Sequence, residues 1–214
     1  WRLYFGAIEN MYKTHPVKID IAGTIESIGG ITAEHLYTCY NTFYHPSNML
    51  LFVIGAVDPK EMMAFIEADQ KSKEFPDASE IVRHLDEEPM QAAVATRTLN
   101  MDVQKPKVYV GLKAKEVELQ GAEMQKHELA VQIALDCVYG RTTKFYTDIY
   151  EEGLIDESYS YDFTLEKGFG FAMIGADTTQ PDELERRIKA QLQAALDGSL
   201  FNSDNVNRVK RKKI

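Results

Sequence analysis

Hydrophobic residues in the first part of the chain recur with helical spacing, between segments rich in turn-forming residues. Apolar positions return every three or four residues from Trp1 to Thr14, which predicts an amphipathic helix. His15-Pro16 ends this helix, because the residue before a proline is pushed out of the helical region. Thr32 is a suitable N-cap for a second helix to about Tyr44, and Asp58-Pro59 begins a third that continues to about Phe75.

The run Met49–Val57 differs from these helical segments, because its nine residues are apolar at consecutive positions and lie between turns. Such a run lacks the alternation of a strand with one exposed face. It therefore predicts a central β-strand that is covered on both faces. It is about half the length of a membrane-spanning helix, and we expect no membrane partner.

Residues 76–92 contain two prolines and five acidic residues with little periodicity, which predicts a linker.

A second series of elements follows. Its clearest pattern runs from Tyr159 to Leu165, where aromatic and aliphatic residues alternate with polar ones, as in a strand with one buried face. Glu166-Lys167-Gly168 predicts a three-residue hairpin loop after it. The predicted strands are Ala93–Val103, Lys107–Leu112, Tyr159–Leu165 and Phe169–Ala176, and the predicted helices are Gly121–Val138, Thr142–Glu152 and Pro181–Leu196.

The composition is that of a globular chain long enough to build a core without disulfides or metals. The 214 residues are 44% hydrophobic and carry 24 basic against 33 acidic side chains, a net charge of −9. This balance opposes nucleic acid as a partner. The basic stretch Arg208–Lys213 is typical of a helix C-terminus, and the other interpretation of it is a patch that binds nucleic acid or an acidic membrane. Cys39 and Cys137 lie in helix-like patterns without metal-binding spacing, so we expect buried thiols in a reducing, cytoplasmic compartment.

Two stretches begin like zinc motifs, but each lacks a ligand. His127-Glu128 opens like H-E-x-x-H, yet Val131 stands at the position of the second histidine. His84 opens a stretch like the inverted H-x-x-E-H, yet Glu88 replaces its final histidine. Because a zinc site normally needs three protein ligands, we expect no metal ligand and no catalytic residue in this chain. The tyrosine-rich strand that begins at Tyr159 leaves open a core face, a peptide-binding edge or a base-stacking platform.

Ordered landmarks along nearly the whole chain resemble the pitrilysin, insulysin and mitochondrial-processing-peptidase family of zinc peptidases. Asn10–Ile28 is similar to the family's tyrosine, His-Pro and Gly-x-x-x-x-Ile segment. Phe43–Met49 resembles its tyrosine-x-proline-x-asparagine-methionine turn. The other matching landmarks are Ile31–Leu36, Leu51–Gly55, Asp58-Pro59, Gly140–Tyr146 and Glu152–Leu154.

This resemblance implies an α+β fold, a clamshell of α/β lobes in which an antiparallel-rich mixed sheet is packed with helices. Residues 1–75 would be the C-terminal part of a first lobe, 76–92 a linker, and 93–214 a second, related lobe truncated at its C-terminus. The family's metal ligands precede the landmark at Tyr12, so this chain is expected to be an excised piece without them. Zinc is expected only if the parent protein carries an upstream metal motif.

The resemblance also bears on substrate binding, because peptide-cleaving members place an arginine and a tyrosine around the Gly-Leu landmark. Ile149 and Asp156 occupy those positions here. Neither side chain can donate a hydrogen bond to an oxyanion. Tyr150 and Tyr159 lie nearby but out of register, which makes them weak candidates for substrate binding.

The implied function is the non-catalytic portion of a zinc-metallopeptidase-like protein, inactive by itself, which contributes to peptide binding and to lobe association. The alternative is a structural or assembly subunit of the same family without peptidase activity. The expected partners are the remainder of the parent chain or a metal-bearing subunit, a peptide substrate, and a second copy of the chain.

Overall fold

The computed structural model describes residues 1–78, 80–198 and 200–213, and in it the chain leaves one folded unit after Asp20 and returns to it at Asp86. The core unit comprises Trp1–Asp20 and Asp86–Ile214, and the inserted unit is Ile21–Leu85. The α-helices are α1 (Arg2–Met11), α2 (Ile25–Gly29), α3 (Ala33–Phe43), α4 (Pro59–Lys71), α5 (Gly121–Tyr139), α6 (Lys144–Glu151), α7 (Pro181–Leu196) and α8 (Ser203–Lys213). The strands are β1 (Lys107–Lys113), β2 (Ser160–Glu166) and β3 (Phe169–Asp177).

The three strands form one antiparallel sheet in the order β1-β3-β2, which confirms the predicted α+β class with antiparallel pairing. The hairpin between β2 and β3 lies where the sequence predicts it. Glu166 pairs with Phe169, however, so the turn contains two residues rather than three. Its second residue, Gly168, has φ of 89°, a conformation that a glycine adopts without steric strain.

Strand β3 lies at the centre of the core unit because both of its faces are buried. Its alternate residues point to opposite sides of the sheet. Ile174 belongs to the larger hydrophobic cluster, whereas Phe171 and Met173 belong to a second cluster that includes residues of α1. The side chains at the centre of the larger cluster are Tyr139, Ile149, Ile174, Leu184 and Ile188.

Helix α1 packs closely against β1 because position 111 carries no side chain. A Cβ atom on Gly111 would lie 2.7 Å from the sulfur of Met11. Residues of α1 that the sequence assigns to a first lobe therefore contact the sheet assigned to a second one. The division into lobes at residues 76–92 stays a prediction. Ser79 of the predicted linker, and Ser199 and Ile214 of the predicted second lobe, lie outside the described residues.

The predicted strand Ala93–Val103 is wrong, because this segment runs beside α1 without regular structure. The backbone N–H of Val94 donates to the carbonyl of Asn10 at 2.9 Å. Arg97 pairs with Glu9 at 2.9 Å. The alternation in this segment is therefore associated with contacts to a helix rather than with pairing in a sheet.

The inserted unit contains helices with well-formed ends and a sparse interior. Thr32 accepts a hydrogen bond from the N–H of His35, and Asp58 caps α4 at the N–H groups of Lys60 and Glu61, as the sequence predicts. None of the described residues of this unit is buried. Cys39 is consequently exposed, against the expectation of a buried thiol, whereas Cys137 in the core unit is buried as expected.

The predicted central strand Met49–Val57 is also absent from the inserted unit. A strand forms only when a neighbouring strand satisfies its backbone groups, and no strand occurs elsewhere among the described residues of this unit. The run is instead exposed. Of its side chains, Leu50 is 90% exposed, Phe52 77% and Ile54 84%.

No helix in the described part of the chain combines the length and the apolar character that crossing a membrane requires.

Candidate functional site

Glu88, a residue that the sequence places in a linker, has an extensively hydrogen-bonded carboxylate. Its two oxygens accept hydrogen bonds from the backbone N–H of Lys13 at 2.9 Å, Thr14 at 2.8 Å and His15 at 2.8 Å. The hydroxyl of Thr14 donates to the same carboxylate at 2.8 Å. The ammonium of Lys113 on β1 completes the set at 2.7 Å. We call Lys13, Thr14, His15, Glu88 and Lys113 the Glu88 clasp.

The ion pair at the centre of the Glu88 clasp is largely shielded from water. The side chain of Glu88 is 12% exposed and that of Lys113 is 8% exposed. Burial alone raises the pKa of Glu88, but the hydrogen bonds from Lys113 and from three backbone N–H groups outweigh it and hold that pKa well below its usual range. The clasp therefore keeps the carboxylate ionised and joins the segment before the inserted unit to the segment after it.

Two aromatic residues of the family landmark lie here, Tyr12 beside the clasp and His15 within it. The Tyr12 hydroxyl donates to the carbonyl of Gly170 on β3 at 2.7 Å, and Lys113 lies 4.8 Å from the centre of the Tyr12 ring. Burial raises the pKa of Tyr12 to about 12. Nδ1 of His15 accepts the N–H of Val17 at 3.1 Å, and burial lowers the pKa of His15 despite the nearby Glu88 carboxylate. Tyr12 and His15 thus fix the end of α1 against the sheet.

The near-motifs for zinc lead to no metal-binding cluster. The part of the chain that the structure describes contains no group of three or more His, Cys, Asp or Glu side chains that could hold a metal ion. Nδ1 of His127 lies 3.6 Å from a carboxylate oxygen of Glu116. Glu88, at the position of the missing histidine in the second near-motif, uses its oxygens in the clasp. The described residues therefore do not fit a zinc ion.

The two candidate substrate-binding tyrosines lie in different environments. Tyr159 is buried, and its hydroxyl donates to the carbonyl of Tyr139 at 3.0 Å. Tyr150 is 47% exposed, and its ring stacks on Tyr146 with a centroid distance of 5.6 Å. Tyr146 in turn contacts Tyr159 at a centroid distance of 5.5 Å. The structure joins both candidates through Tyr146, and only Tyr150 presents a large surface to solvent. Their assignment to substrate binding stays a prediction.

Ile149 and Asp156, the positions at which the sequence resemblance implies an arginine and a tyrosine in peptide-cleaving members, are both engaged within the chain. Ile149 is completely buried in the larger hydrophobic cluster. Asp156 accepts hydrogen bonds from Lys105 at 2.6 Å and from the backbone N–H of Ser158 at 3.0 Å. The hydrogen bond from Lys105 and those from Ser158 hold the pKa of Asp156 well below its usual range.

The basic stretch at the C-terminal end of α8 contacts a buried carboxylate of α5. Asp136 accepts a hydrogen bond from the Tyr161 hydroxyl at 2.5 Å and pairs with Lys213 at 3.1 Å and Lys212 at 3.6 Å. Burial raises the pKa of Asp136, but these partners outweigh it and lower that pKa. The basic groups at positions 212 and 213 therefore attach α8 to α5 within the core unit.

Sequence reasoning missed Glu88, Lys113 and Asp136 as organising residues. Glu88 stands in an acidic run that looks like a solvated linker, and Lys113 ends an ordinary strand. Twenty-five positions separate them in the chain. No spacing rule connects two such residues, so only the folded structure reveals the pair.

Comparison with known proteins identifies the family of this chain. Residues 30–213 match the peptidase M16 inactive domain. The whole chain is 48% identical to the uncharacterized zinc protease YmfH of Bacillus subtilis (strain 168), of which it covers 50%. A stretch of 67 residues is 31% identical to the probable inactive metalloprotease YmfF of the same organism, covering 31% of this chain and 16% of YmfF.

Solved structures agree with this relationship. A putative M16-like peptidase from Alicyclobacillus acidocaldarius superposes with a TM-score of 0.93 at 36% identity, over 99% of this chain and 49% of that one. A protease from Helicobacter pylori shares the fold, with a TM-score of 0.76 at 17% identity over 99% of this chain and 50% of that one. The chain spans about half the length of YmfH and of both solved proteins. It belongs to the peptidase M16 family, within which it matches the inactive domain.

Proposed function

We propose that this chain is the non-catalytic portion of a zinc-metallopeptidase-like protein, and that it contributes to peptide binding and to lobe association. The observation that carries the proposal is the match to the inactive domain over residues 30–213. YmfH, described as a zinc protease, is about twice as long as the region it shares with this chain. We place the catalytic zinc, where the parent protein has one, on residues outside these 214. The free thiols of Cys39 and Cys137 favour a reducing cytoplasm as its compartment.

The surface around Tyr150 supports the peptide-binding part of the proposal. Its half-exposed ring stacks on Tyr146, and the guanidinium of Arg141 lies 6.0 Å from the centre of the Tyr146 ring. An exposed aromatic ring on a rigid helix offers apolar contact area at a low entropic cost. Helix α6 carries both tyrosines and is anchored by the buried Ile149. An extended peptide would place an apolar side chain on Tyr150.

The test is a binding titration of the full-length parent protein with a fluorescently labelled, unstructured peptide, followed by fluorescence anisotropy. We expect saturable binding that Tyr150→Ala weakens about tenfold, in the range typical of an aromatic contact residue. Leu196→Ala removes an exposed apolar side chain from α7 and serves as the matched control. Unchanged binding by Tyr150→Ala would contradict the assignment of this residue.

The structural or assembly subunit remains a second candidate, which the surroundings of Ile149 and Asp156 favour. Ile149 belongs to the core, and Asp156 is held by Lys105, so neither presents a hydrogen-bond donor to a peptide. This candidate predicts no saturable peptide binding by the full-length parent. The same titration therefore separates the two functions.

A further inference from the structure

His15 begins a short turn in the segment that leads toward the inserted unit, and its imidazole ring closes this turn. Pro16–Lys18 forms a turn of 3-10 helix, and Nδ1 of His15 accepts the backbone N–H of Val17 at 3.1 Å. We call residues 15–18 the His15 turn. A ring nitrogen that accepts a hydrogen bond carries no proton. The turn in this form therefore requires a neutral His15 with its proton on Nε2.

The ring of His15 lies where a positive charge would be poorly solvated. The residue is 7% exposed, and the centre of its ring lies 5.1 Å from that of Phe169 and 5.9 Å from that of Tyr12. Nε2 is buried and has no hydrogen-bond partner among the described residues. A protonated ring would therefore find no acceptor at either nitrogen within the part of the chain that the structure describes, since Nδ1 faces an N–H group.

The carboxylate of Glu88 lies close to His15 but is committed to other groups. It bonds the backbone N–H of His15 rather than the ring, and its two oxygens accept five hydrogen bonds in all. Its negative charge favours proton uptake by His15, whereas burial opposes it more strongly and lowers the pKa of His15. The ammonium of Lys113, which pairs with Glu88, adds a positive charge to the same site.

The other charged groups around His15 do not provide a partner for a protonated ring. Lys13 and Lys18 flank it along the chain, and the ammonium of Lys18 donates to the carbonyl of Lys13. Glu166 and Lys167 lie in the hairpin that carries Phe169, where both are exposed and their opposite charges offset each other. The neutral form of His15 is therefore the one that this site stabilises.

A second His-Pro turn, in the inserted unit, shows what His15 lacks. Pro46–Asn48 forms the same 3-10 turn, and Nδ1 of His45 accepts the N–H of Ser47 at 3.2 Å. Nε2 of His45 lies 3.0 Å from the carbonyl oxygen of Pro76, to which it donates. The residue is only half-buried. Proton uptake by His45 thus charges a ring that keeps a carbonyl partner and reaches solvent, whereas His15 has neither.

We propose that the His15 turn is a pH-sensitive lock on the segment that leads into the inserted unit. Proton uptake at Nδ1 places a second donor against the N–H of Val17, so the ring must leave its buried site and the turn must open. Val17 then loses its packing in the second hydrophobic cluster. The carboxylate of Glu88 stays ionised under mildly acidic conditions, because its pKa lies well below its usual range. Mild acid therefore opens the lock while Glu88 still holds Lys113.

Hydrogen–deuterium exchange of the full-length parent at pH 7 and pH 5, corrected for the intrinsic rates, tests the lock. The informative amides are those of positions 17–19, which are bonded within the turn. The ordinary histidine pKa of about 6.5 lies about 1.5 units above pH 5, so proton uptake by the open turn favours opening by up to about 30-fold. We expect their protection to fall about tenfold between the two pH values, while β3 stays protected and reports on folding.

His15→Asn is the matched variant, because an asparagine oxygen can accept the N–H of Val17 but does not titrate. Its amides 17–19 should have the same protection at pH 7 and pH 5, within about twofold. His15→Ala supplies no acceptor, so these amides should exchange rapidly at both pH values. His45→Asn changes the second turn and should leave the response of positions 17–19 intact.

Three results would overturn the lock: constant protection of amides 17–19 in the native parent, an equal fall in His15→Asn, and slow exchange in His15→Ala at pH 7. An equal fall in His15→Asn would assign the response to another group. Nitrogen-15 NMR of labelled histidine gives an independent measurement. We expect Nδ1 of His15 to be unprotonated at pH 7 and protonated at pH 5, and a ring that stays neutral at pH 5 would also contradict the assignment.

Discussion

The core unit and the inserted unit have similar local signals and very different packing. Both contain helices that begin at capped residues, such as Thr143 of α6 in the core unit and Asp58 of α4 in the inserted unit. In the core unit, helices and a sheet together bury two hydrophobic clusters. In the inserted unit, none of the described residues is buried. Caps and periodicity therefore specify helices, whereas burial requires a partner sheet.

This difference in packing indicates that the core unit supplies most of the stability of the chain. Isolated short helices are marginally stable in water, and most helix stability in proteins comes from packing an apolar face. In the core unit, apolar residues of α1, α5, α6 and α7 pack with those of the sheet in two hydrophobic clusters. The helices of the inserted unit retain apolar side chains with the spacing of an inner face, including Leu36, Tyr40 and Phe43, yet these side chains are exposed. The four comparisons below test whether stability in this chain follows burial.

The largest effect should come from matched isoleucines in the two units. Ile174→Ala removes a completely buried side chain from β3 and should lower the free energy of unfolding by about 4 kcal/mol, since it leaves a cavity. Ile54→Ala, at an exposed position, should change it by less than about 0.5 kcal/mol. Urea unfolding of the 214-residue chain, followed by circular dichroism, measures both values. A comparable loss for Ile54→Ala would show that the chain buries its apolar run in solution.

The next effect concerns the Glu88 clasp. Glu88→Gln keeps the size of the side chain but leaves Lys113 without its carboxylate in a shielded site, so unfolding free energy should fall by about 3 kcal/mol. Glu87→Gln changes the neighbouring exposed carboxylate and should have an effect below about 0.5 kcal/mol. Urea titrations at pH 7 compare the two variants. Equal effects would mean that the clasp contributes no more than an ordinary surface charge.

The contribution of the Glu88 carboxylate to the free energy of unfolding should also depend on pH, and this effect is smaller than that of the substitution itself. The folded state lowers the pKa of Glu88 far below its ordinary value near 4.5. The stabilisation is therefore complete above that ordinary value and is lost as the pH falls through it toward the folded pKa. Between pH 6 and pH 3, the difference in unfolding free energy between the native chain and Glu88→Gln should shrink by about 2 kcal/mol. A difference that stays constant over this range would contradict the assignment.

The smallest effect distinguishes a buried hydroxyl from an exposed one. Tyr159→Phe removes the hydrogen bond to the carbonyl of Tyr139 and should lower unfolding free energy by about 1 kcal/mol. Tyr37→Phe, on the exposed surface of α3, should have no measurable effect. Thermal unfolding measures both. If Tyr159→Phe has no effect, the hydrogen bond to Tyr139 does not contribute to stability.

The sequence predicts those elements whose signals are local. Thr32, Asp58 and the alternation from Tyr159 to Leu165 each determine the conformation of their immediate neighbours, and the structure has those elements. The prediction for Met49–Val57 was wrong because composition indicates that a run prefers burial but does not say whether a pairing strand is present. The prediction for Ala93–Val103 was wrong because alternation does not say whether a pairing strand lies beside the segment, and Val94 and Arg97 contact α1 instead.

In the candidate site too, local features could be predicted from the sequence and long-range contacts could not. The near-motifs at His84 and His127 each lack a histidine, which their spacing alone reveals. The role of Glu88 was not predictable, because its hydrogen-bond donors lie 25 to 75 positions away in the chain. Contacts over such separations depend on the whole fold, and spacing rules describe neighbours on one element.

The Glu88 clasp also bears on how this segment of the family can diverge. His15 and Glu88 are 73 positions apart, yet a single carboxylate joins them, so the chain between them is a side loop with its ends held together. The entropy of closing such a loop rises slowly with length, by about 0.6 kcal/mol for each doubling. Changes in the length of the chain between the two ends should therefore cost little closure entropy while the clasp holds, so β1 and α1 can keep their places when this loop is longer or shorter.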